Sequence, residues 1–288
     1  MLECTRDFFS LNGQLRPVAD FDRYFTKPEK YLYEVLRVHQ QLPLFIFDHL
    51  DRLWLTAKFE RVSLPFTRQQ ILEVIFSVIK ANPGSDGNIK IYIDVKPRGC
   101  VTWMVYFNPH QYPTRTQFIK GVDVGLFSAE RFNPNAKVMD TLLRSATDQA
   151  KTDKHVYEVL LFDRNNSITE GSRSNVFFIL NQKLLTPPVH TVLEGITRKY
   201  IIQICAENHI SVSEKNIHIN DLSHMDAVFI TGTSRRVLPV RSIDKLVFDV
   251  SHILVRKLQR LFEERVKSYL QYLQTIKNPD LHYLLTGQ

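Results

Sequence analysis

The chain has 288 residues, of which 44% are hydrophobic and 23% are charged, and its formal net charge is +7. At about 150 residues per domain, this length predicts two domains or one large α/β unit, and a core that buries about 75% of the unfolded surface. The composition is that of an ordinary globular protein, which excludes the disordered, collagen-like and coiled-coil classes.

Signals for membrane insertion and secretion are missing from the sequence. No stretch reaches the roughly 18 consecutive apolar residues that span a bilayer, and the first residues lack the basic-then-apolar order of a secretion signal. Cys4, Cys100 and Cys205 are odd in number and widely spaced, which predicts reduced thiols instead of a disulfide framework or a CxxC metal pair. We therefore expect a cytoplasmic protein that binds no membrane.

The excess of positive charge makes a polyanionic partner worth testing. The 37 basic residues are scattered. The densest groups are Arg235-Arg236 with Arg241, and the run Arg256, Lys257, Arg260, Arg265 and Lys267. No helix-turn-helix, zinc-finger or RNP pattern accompanies them, so we expect attraction of anionic metabolites and no nucleic-acid binding. The ten histidines form no HxH or HExxH pattern, so we expect no catalytic metal.

The first part of the chain predicts a small domain of helices and strands. Thr67-x-x-Gln70 is a capping-box pattern that predicts a helix ending at Asn82-Pro83-Gly84. Two β-rich runs, 89–94 and 101–107, flank Lys96-Pro97-Arg98-Gly99 and predict a hairpin. The polar loop 108–114 predicts a linker. We expect a small N-terminal α/β domain over residues 1–113 and a larger C-terminal domain over residues 114–288.

The second part alternates strand and helix patterns. Strands are predicted at 122–127, 156–162, 176–180, 210–212, 228–231 and 246–248, and helices around 142–150, from about 195, and over 251–275. The last helix has an apolar face at helical spacing, which is typical of a packed amphipathic helix.

Lys137 and Glu170 have the chemistry of a cofactor site. Lys137 lies just before a predicted helix, and Glu170 follows 33 residues later, after a helix and a strand that can return the chain to the same neighbourhood. A lysine forms a Schiff base with an aldehyde cofactor, and a carboxylate facing a pyridine nitrogen keeps that ring protonated as an electron sink. This pair is typical of pyridoxal phosphate chemistry, although a solvated lysine and an exposed turn glutamate are the ordinary alternatives.

Two further segments are suited to bind a phosphate. Gly195-Ile196-Thr197 opens a predicted helix, whose free amides can hold phosphate oxygens without a basic side chain. Thr231-Gly232-Thr233-Ser234 follows an apolar strand and supplies hydroxyl groups beside a residue that lets backbone approach an anion. A common helix start and a common turn remain the alternatives for these two segments.

Together these segments resemble the class IV (fold-type IV) pyridoxal phosphate enzymes over about residues 30 to 250. The resemblance rests on Lys137, Thr169-Glu170-Gly171-x-x-Ser174-Asn175, Leu193-Glu194-Gly195-Ile196-Thr197-Arg198 and Phe229-Ile230-Thr231-Gly232-Thr233. The family includes branched-chain and D-amino acid aminotransferases, (R)-selective amine transaminases and aminodeoxychorismate lyases. It implies a two-domain α/β (α+β) fold whose larger domain has a mixed sheet or barrel-like core, pyridoxal 5'-phosphate as cofactor, and a homodimer.

The N-terminal half extends the resemblance. Tyr33-Glu34-Val35-Leu36-Arg37 is similar to the family's early strand, and His49-Leu50-Asp51-Arg52-Leu53 is similar to its HxxRL segment. The resemblance implies that Arg52 pairs with the cofactor phosphate and that Tyr33 lines the substrate side. His49 is expected to be a structural partner near Arg52. Arg173 is a candidate for a substrate carboxylate, with a solvent-facing arginine as the alternative.

The same resemblance assigns the remaining roles. Lys137 would form the Schiff base and shuttle the proton, and Glu170 would pair with the pyridinium nitrogen. Ile196, Thr197, Gly232 and Thr233 would contact the phosphate. The reaction implied is transamination in two halves between an amino acid and a 2-oxo acid, with the amino group held on the cofactor as pyridoxamine phosphate between them.

Departures from the family pattern leave the substrate open. The hairpin lacks the Arg-x-His pair of D-amino acid enzymes, and Leu142 stands where branched-chain enzymes usually have tyrosine five positions after the lysine. An L-amino acid aminotransferase, with branched-chain substrates as one option, is the leading hypothesis. An aminodeoxychorismate lyase releasing pyruvate and 4-aminobenzoate is the main alternative, and a non-catalytic or nucleic-acid-binding protein is the remote one.

Overall fold

The computed structural model describes residues 3–84, 86–96 and 100–276, and the chain forms two compact units. The first comprises Met1–Gln111, Ala136–Asp140 and Arg265–Gln288, and the second comprises Tyr112–Asn135 and Thr141–Glu264. Both contain helices and strands, so the predicted mixed α/β class is confirmed. The predicted domain limits, 1–113 and 114–288, stay a prediction.

The strands and helices are numbered in chain order. The strands are β1 (Phe8–Leu11), β2 (Gln14–Pro17), β3 (Lys30–His39), β4 (Leu42–Pro43), β5 (Gly87–Val95), β6 (Val101–Asn108), β7 (Val122–Ser128), β8 (Val138–Asp140), β9 (Glu158–Phe162), β10 (Ser167–Gly171), β11 (Asn175–Leu180), β12 (Lys183–Thr186), β13 (Val212–Glu214), β14 (Ile217–His218), β15 (Ala227–Gly232), β16 (Arg236–Ile243) and β17 (Leu246–Val247). The α-helices are α1 (Phe21–Tyr24), α2 (Ile46–Phe59), α3 (Arg68–Ala81), α4 (Arg115–Lys120), α5 (Thr141–Asp153), α6 (Ile196–Glu207) and α7 (Ile253–Thr275).

The first unit is built on an antiparallel sheet in the order β2-β1-β6-β5-β3-β4, with β8 paired to the start of β3. Side chains alternate between its two faces, as the period of a strand requires. The face that packs with α2 and α3 is mainly aliphatic: Leu32, Leu36, Val38, Ile89, Ile91, Ile93, Val105 and Phe107. The opposite face is mainly aromatic: Tyr31, Tyr33, Tyr92, Met104 and Tyr106.

Helix α3 begins and ends where the sequence predicts. The Thr67 side chain accepts a hydrogen bond from Gln70 N at 3.2 Å, and Thr67 N donates to the Gln70 side chain at 2.8 Å. This reciprocal capping box satisfies two amides at the helix start. The predicted hairpin is also confirmed, because β5 and β6 pair antiparallel from Asn88 to Val95; of its turn, Pro97, Arg98 and Gly99 lie outside the described residues.

The second unit contains a mixed sheet in the order β13-β12-β11-β15-β16-β7-β9-β10-β14, with β17 beside β16. The pairs β12–β13, β16–β7 and β7–β9 are parallel and the others are antiparallel. The strand predicted at 210–212 begins two residues later, at Val212. The reason is that Ile210 N donates to Cys205 O at 2.9 Å and so completes the end of α6.

Helix α7 matches the predicted long amphipathic helix, and each of its halves packs within one unit. In the second unit, Arg256 donates to Phe118 O at 2.7 Å and Gln259 donates to Val237 O at 3.1 Å. In the first unit, the Tyr269 ring lies 4.8 Å from the Phe45 ring, and Leu273 belongs to the aliphatic core. Among the described residues, no helix is both long enough and apolar enough to cross a bilayer.

The capping box of α3 predicts the effect of one substitution. Thr67→Ala removes the acceptor for Gln70 N, so the free energy of unfolding should fall by about 1 kcal/mol, and Thr67→Ser should retain it. Urea denaturation monitored by circular dichroism measures both variants. An unfolding free energy unchanged in Thr67→Ala would show that the cap contributes nothing.

Candidate functional site

Lys137 is held by its backbone next to the aromatic face of the first sheet. Its carbonyl oxygen accepts from Tyr33 N at 3.2 Å, and its amide donates to the Thr56 hydroxyl at 3.0 Å. Strand β8 follows immediately and pairs with β3, so the backbone is fixed on both sides of the lysine. The Lys137 Nζ lies 4.6 Å from the centre of the Tyr33 ring. Lys137 and Tyr33, both predicted site residues, are therefore in contact.

Arg52, the other predicted site residue of the first unit, is bound by the buried carboxylate of Glu34. Glu34 follows Tyr33 on β3, so its side chain points to the opposite face, toward α2. Arg52 on α2 donates to both Glu34 oxygens, from Nε at 2.8 Å and from Nη2 at 2.7 Å. His49, one turn earlier on the same helix, lies 2.9 Å from Glu34 through Nδ1. The bidentate pair fixes the plane of the Arg52 guanidinium.

Burial and the contacts within this cluster oppose each other at both Glu34 and His49, with opposite outcomes. Complete burial alone would raise the pKa of Glu34, but the Arg52 charge and the hydrogen bonds from Arg52 and His49 outweigh it and lower that pKa to about 2. Burial lowers the pKa of His49, and its contact with Glu34 does not offset this. The expectation that His49 is a structural neighbour of Arg52 is consistent with this shared partner.

Glu170 is buried in the second unit, near the end of β10, with both carboxylate oxygens occupied. One oxygen accepts from Arg131 Nε at 2.5 Å and the other from Leu193 N at 3.1 Å. Arg131 also donates to Ser172 O at 3.1 Å, so the arginine binds the carboxylate and the loop that follows it. A charged donor of this kind favours the ionised form of a carboxylate.

Asn175 connects this carboxylate to the start of α6. Its side-chain amide donates to Leu193 O at 2.8 Å. A Cβ atom at Gly195 would lie 2.0 Å from the Asn175 side-chain oxygen, so any larger residue would displace the Asn175 side chain. Because Gly195 is the N-cap and no side chain caps the helix, the first-turn amides at Ile196 and Thr197 point out of α6 as donors. Ile196 and Thr197 are both buried.

The hydroxyl-rich turn, Thr231-Gly232-Thr233-Ser234, begins beside Asn175. Strand β15 pairs with β11 so that Thr231 is opposite Asn175, and Gly232 and Thr233 follow. The Thr231 hydroxyl is buried and has no hydrogen-bond partner among the residues that the structure describes. The structure therefore brings together four short segments of the second unit, those of Glu170, Asn175, 193–195 and Thr231. Five predicted site residues lie on them: Glu170, Ile196, Thr197, Gly232 and Thr233.

Arg173 has a different environment from these residues. Its guanidinium binds both oxygens of Asp148 on α5 at 2.6 and 2.7 Å, and its side chain is 43% exposed. Its suggested contact with a substrate carboxylate stays a prediction.

Over residues 3–84, 86–96 and 100–276, no group of three or more His, Cys, Asp or Glu side chains is arranged to hold a metal ion.

Comparison with known proteins gives the family. Residues 31–243, most of the chain, match the sequence model described as "Amino-transferase class IV". The chain belongs to the class IV aminotransferase family. It is therefore an enzyme of the transaminase type. The branched-chain-amino-acid aminotransferase of Escherichia coli (strain K12) is 30% identical over 214 residues, which are 68% of this chain and 69% of the relative.

Solved structures of the family share its fold. The T.th. branched-chain amino acid aminotransferase with pyridoxamine 5'-phosphate superimposes with a TM-score of 0.82 at 22% identity, covering 93% of this chain and 96% of that one. A Legionella pneumophila protein described as a candidate 4-amino-4-deoxychorismate lyase superimposes with a TM-score of 0.73 at 25% identity, covering 82% and 91%. The fold of this class IV aminotransferase is thus the fold-type IV architecture implied by the resemblance.

Three residues at these sites were not given a role by the sequence. Glu34 is a charged residue within the apolar run of β3, a signal that its partners had to be sought on the covering helix. Arg131 lies six positions before Lys137, within the same segment, but no spacing rule pairs it with Glu170. Asn175 belongs to the family motif, yet its contact with Leu193 depends on the fold.

The Glu34 ion pair predicts how stability depends on pH. Its pKa is depressed in the folded chain, from an ordinary 4.5 to about 2. The stabilisation, about 3 kcal/mol, is therefore complete above pH 4.5 and is lost as the pH falls toward 2. Glu34→Gln should be less stable at pH 7 and should lose less stability between pH 5 and 2. Unfolding free energies of both proteins across this range test it, and parallel curves would contradict it.

Proposed function

We propose that this enzyme uses pyridoxal 5'-phosphate to move an amino group between a branched-chain amino acid and a 2-oxo acid. Enzymes of the class IV family depend on this cofactor, and one similar structure carries its pyridoxamine form. One structural observation supports the proposal above the others. The buried Glu170 carboxylate, paired with Arg131, lies beside the start of α6, which no side chain caps. A carboxylate suits a pyridinium nitrogen, and the amides of a helix start suit a phosphate.

The residues of the second unit fit the cofactor's two charged ends. Within the described part of the chain, the buried Thr231 hydroxyl has no hydrogen-bond partner, and it lies next to the turn that carries Gly232 and Thr233. Gly195 leaves the first turn of α6 without a side-chain cap, so its amides remain donors for an anion. Ile196, Thr197, Gly232 and Thr233 would hold the phosphate.

Arg52 would add a positive charge to the same phosphate. Its pairing with Glu34 fixes the guanidinium without removing its positive charge. The buried pair therefore acts as a rigid support for the arginine, because both Glu34 oxygens are already occupied.

When bound, the cofactor supplies an aldehyde carbon that accepts the amino group and a ring that stabilises the electron pair left on the substrate's α-carbon. Lys137 would hold the cofactor through Nζ. Once the substrate amine displaces it, the Lys137 amine would remove the α-proton and return it on the other side of the transferred nitrogen. Tyr33 would line the substrate side, since its ring already contacts the lysine amine.

Glu170 would hold a proton on the ring nitrogen. Its charge is maintained by Arg131, and Leu193 N fixes the second oxygen. With both oxygens bound, the carboxylate is immobilised before any ligand arrives, so no reorganisation is needed during the reaction.

Subunit assembly and location also remain proposals. We expect a homodimer, as the resemblance to the family implies. We also expect a cytoplasmic enzyme that acts on small molecules and binds neither nucleic acid nor membrane.

The aminodeoxychorismate lyase reaction is the second candidate. It is supported by the similarity to the Legionella protein and by Leu142, which replaces the tyrosine usual in branched-chain enzymes and is 69% exposed. The two reactions differ in their products, since the lyase releases pyruvate without a 2-oxo acid acceptor.

The role of Lys137 predicts a covalent label. After reduction of the loaded enzyme with borohydride, peptide mass spectrometry should locate the cofactor on Lys137, and Lys137→Ala should show no label and no visible absorption band. Lys154→Ala, at an exposed lysine paired with Asp244, is the matched control and should behave as wild type. Label on a different lysine of the wild-type protein would contradict the assignment.

The substrate proposal predicts an order of amino donors. With 2-oxoglutarate as acceptor, L-leucine, L-isoleucine and L-valine should be converted at least about tenfold faster than D-alanine, as expected when a pocket contributes a few kcal/mol of discrimination. Coupled assays of the donor panel measure this order. Pyruvate released from aminodeoxychorismate without an acceptor, and no turnover of branched-chain donors, would favour the lyase.

A further inference from the structure

The pair Arg235-Arg236 belongs to one of the densest cationic groups of the sequence, and the proposed chemistry does not use it. The two side chains have separate partners. Arg236 donates to the Glu263 carboxylate on α7 at 2.5 Å. Arg235 binds Glu158, at the start of β9, at 3.0 Å, and its side chain is 14% exposed. Only Arg235 therefore reaches into the protein near the segments of Glu170 and Gly232.

Glu158 is fully buried, and it binds the loop that follows Glu170. One oxygen accepts from the Ser172 hydroxyl at 2.5 Å, and the other accepts from the Ser174 hydroxyl at 3.3 Å. Gly171 lies between these groups with no space to spare, since a Cβ there would be 3.3 Å from the Glu158 Cγ and 2.0 Å from the Ser174 hydroxyl oxygen. The position of this loop thus depends on the Glu158 carboxylate.

Arg235 connects the same loop to the hydroxyl-rich turn. Its Nη1 donates to Arg173 O at 3.1 Å, and its guanidinium lies 5.5 Å from the centre of the Tyr157 ring. Its backbone amide donates to Gly232 O at 3.1 Å, closing the turn that contains Thr233. One guanidinium therefore joins the turn, the Glu170 loop and the buried carboxylate.

We propose that Arg235 is a positioning residue. Its guanidinium binds the Glu158 carboxylate and Arg173 O at the same time, and so holds the Gly232–Thr233 turn in the geometry that receives the cofactor phosphate. This inference rests on the proposed function, because it assigns a phosphate to that turn. A lysine keeps the charge but lacks the planar fork, so it cannot make both contacts in the same geometry. Replacing Arg235 with lysine should therefore weaken binding of the phosphate group and leave binding of the rest of the ligand unchanged.

The test compares two ligands that differ only in the phosphate. Equilibrium constants for pyridoxal 5'-phosphate and for pyridoxal are measured by absorbance on the wild-type full chain and on Arg235→Lys. Both ligands can react with the same lysine, so the ratio of Kd for pyridoxal to Kd for pyridoxal 5'-phosphate isolates binding of the phosphate. We expect this ratio to fall about tenfold in Arg235→Lys, the effect of weakening a charge-assisted contact, with the Kd for pyridoxal unchanged.

Two further variants separate positioning from general stability. Arg236→Lys, at the neighbouring residue that binds Glu263, is the matched control and should keep the wild-type ratio. If Arg235→Lys does not fold, the double variant Glu158→Gln with Arg235→Met removes both charges without leaving a buried carboxylate unpaired, and it should show the same fall in ratio.

The outcomes distinguish this inference from the proposed function. A wild-type protein that binds pyridoxal 5'-phosphate, with an unchanged ratio in the Arg235 variant, overturns the positioning role alone. An equal loss of affinity for both ligands also overturns it, because that is the effect of a merely structural residue. A wild-type protein that binds neither ligand overturns the proposed function and this inference with it.

Discussion

Three buried glutamates, each neutralised by one arginine, are the constraint on which the proposed chemistry depends. Glu34 is paired with Arg52, Glu158 with Arg235, and Glu170 with Arg131. Burial of an unpaired carboxylate costs several kcal/mol, so each glutamate requires its arginine and each arginine is confined in turn. The glutamates lie on β3, β9 and β10, whereas their partners come from a helix and from loops. The pairs therefore fix a helix and two loops to the strands of the sheets.

The three pairs differ in what they position. The Glu34 pair fixes an arginine, so in the proposed function the cation would face the ligand. The Glu170 pair works in the opposite sense, because Arg131 and Leu193 N fix a carboxylate, which in the proposed function would face a cationic ring. In the Glu158 pair neither charge has a proposed contact with the ligand, and the two side chains join the loop after Glu170 to the turn that carries Arg235. Similar ion pairs thus provide an anchored cation, an anchored anion and an internal link.

Much of the fold and the identities of the proposed site residues could be predicted from local patterns. The capping box at Thr67, the β5–β6 hairpin and the helix α7 follow from propensity and periodicity, which act within a few residues. Lys137, Glu170 and the start of α6 could be proposed as site residues because the runs around them match short motifs of the family. Segments carrying Glu170, Gly195 and Thr231 are indeed neighbours, although they are separated by up to about sixty positions in the sequence.

What could not be predicted depends on contacts between distant positions. The three-residue strand β8 has no periodicity to detect, and only its pairing with β3 defines it. The partners of Glu34, Glu158 and Glu170 lie 18, 77 and 39 positions away along the chain, beyond any spacing rule. Arg173 shows the same limit, because its Asp148 partner is on a helix whose orientation the sequence does not specify.

The central claim is that Glu170, kept charged by Arg131, holds a proton on the ring nitrogen of the cofactor. Nitrogen NMR of the enzyme loaded with ring-¹⁵N pyridoxal 5'-phosphate tests this most directly. The account predicts a protonated ring nitrogen at neutral pH in the wild-type enzyme and an unprotonated one in Glu170→Gln. An unprotonated ring nitrogen in the wild-type enzyme, or the same signal in both proteins, would contradict it.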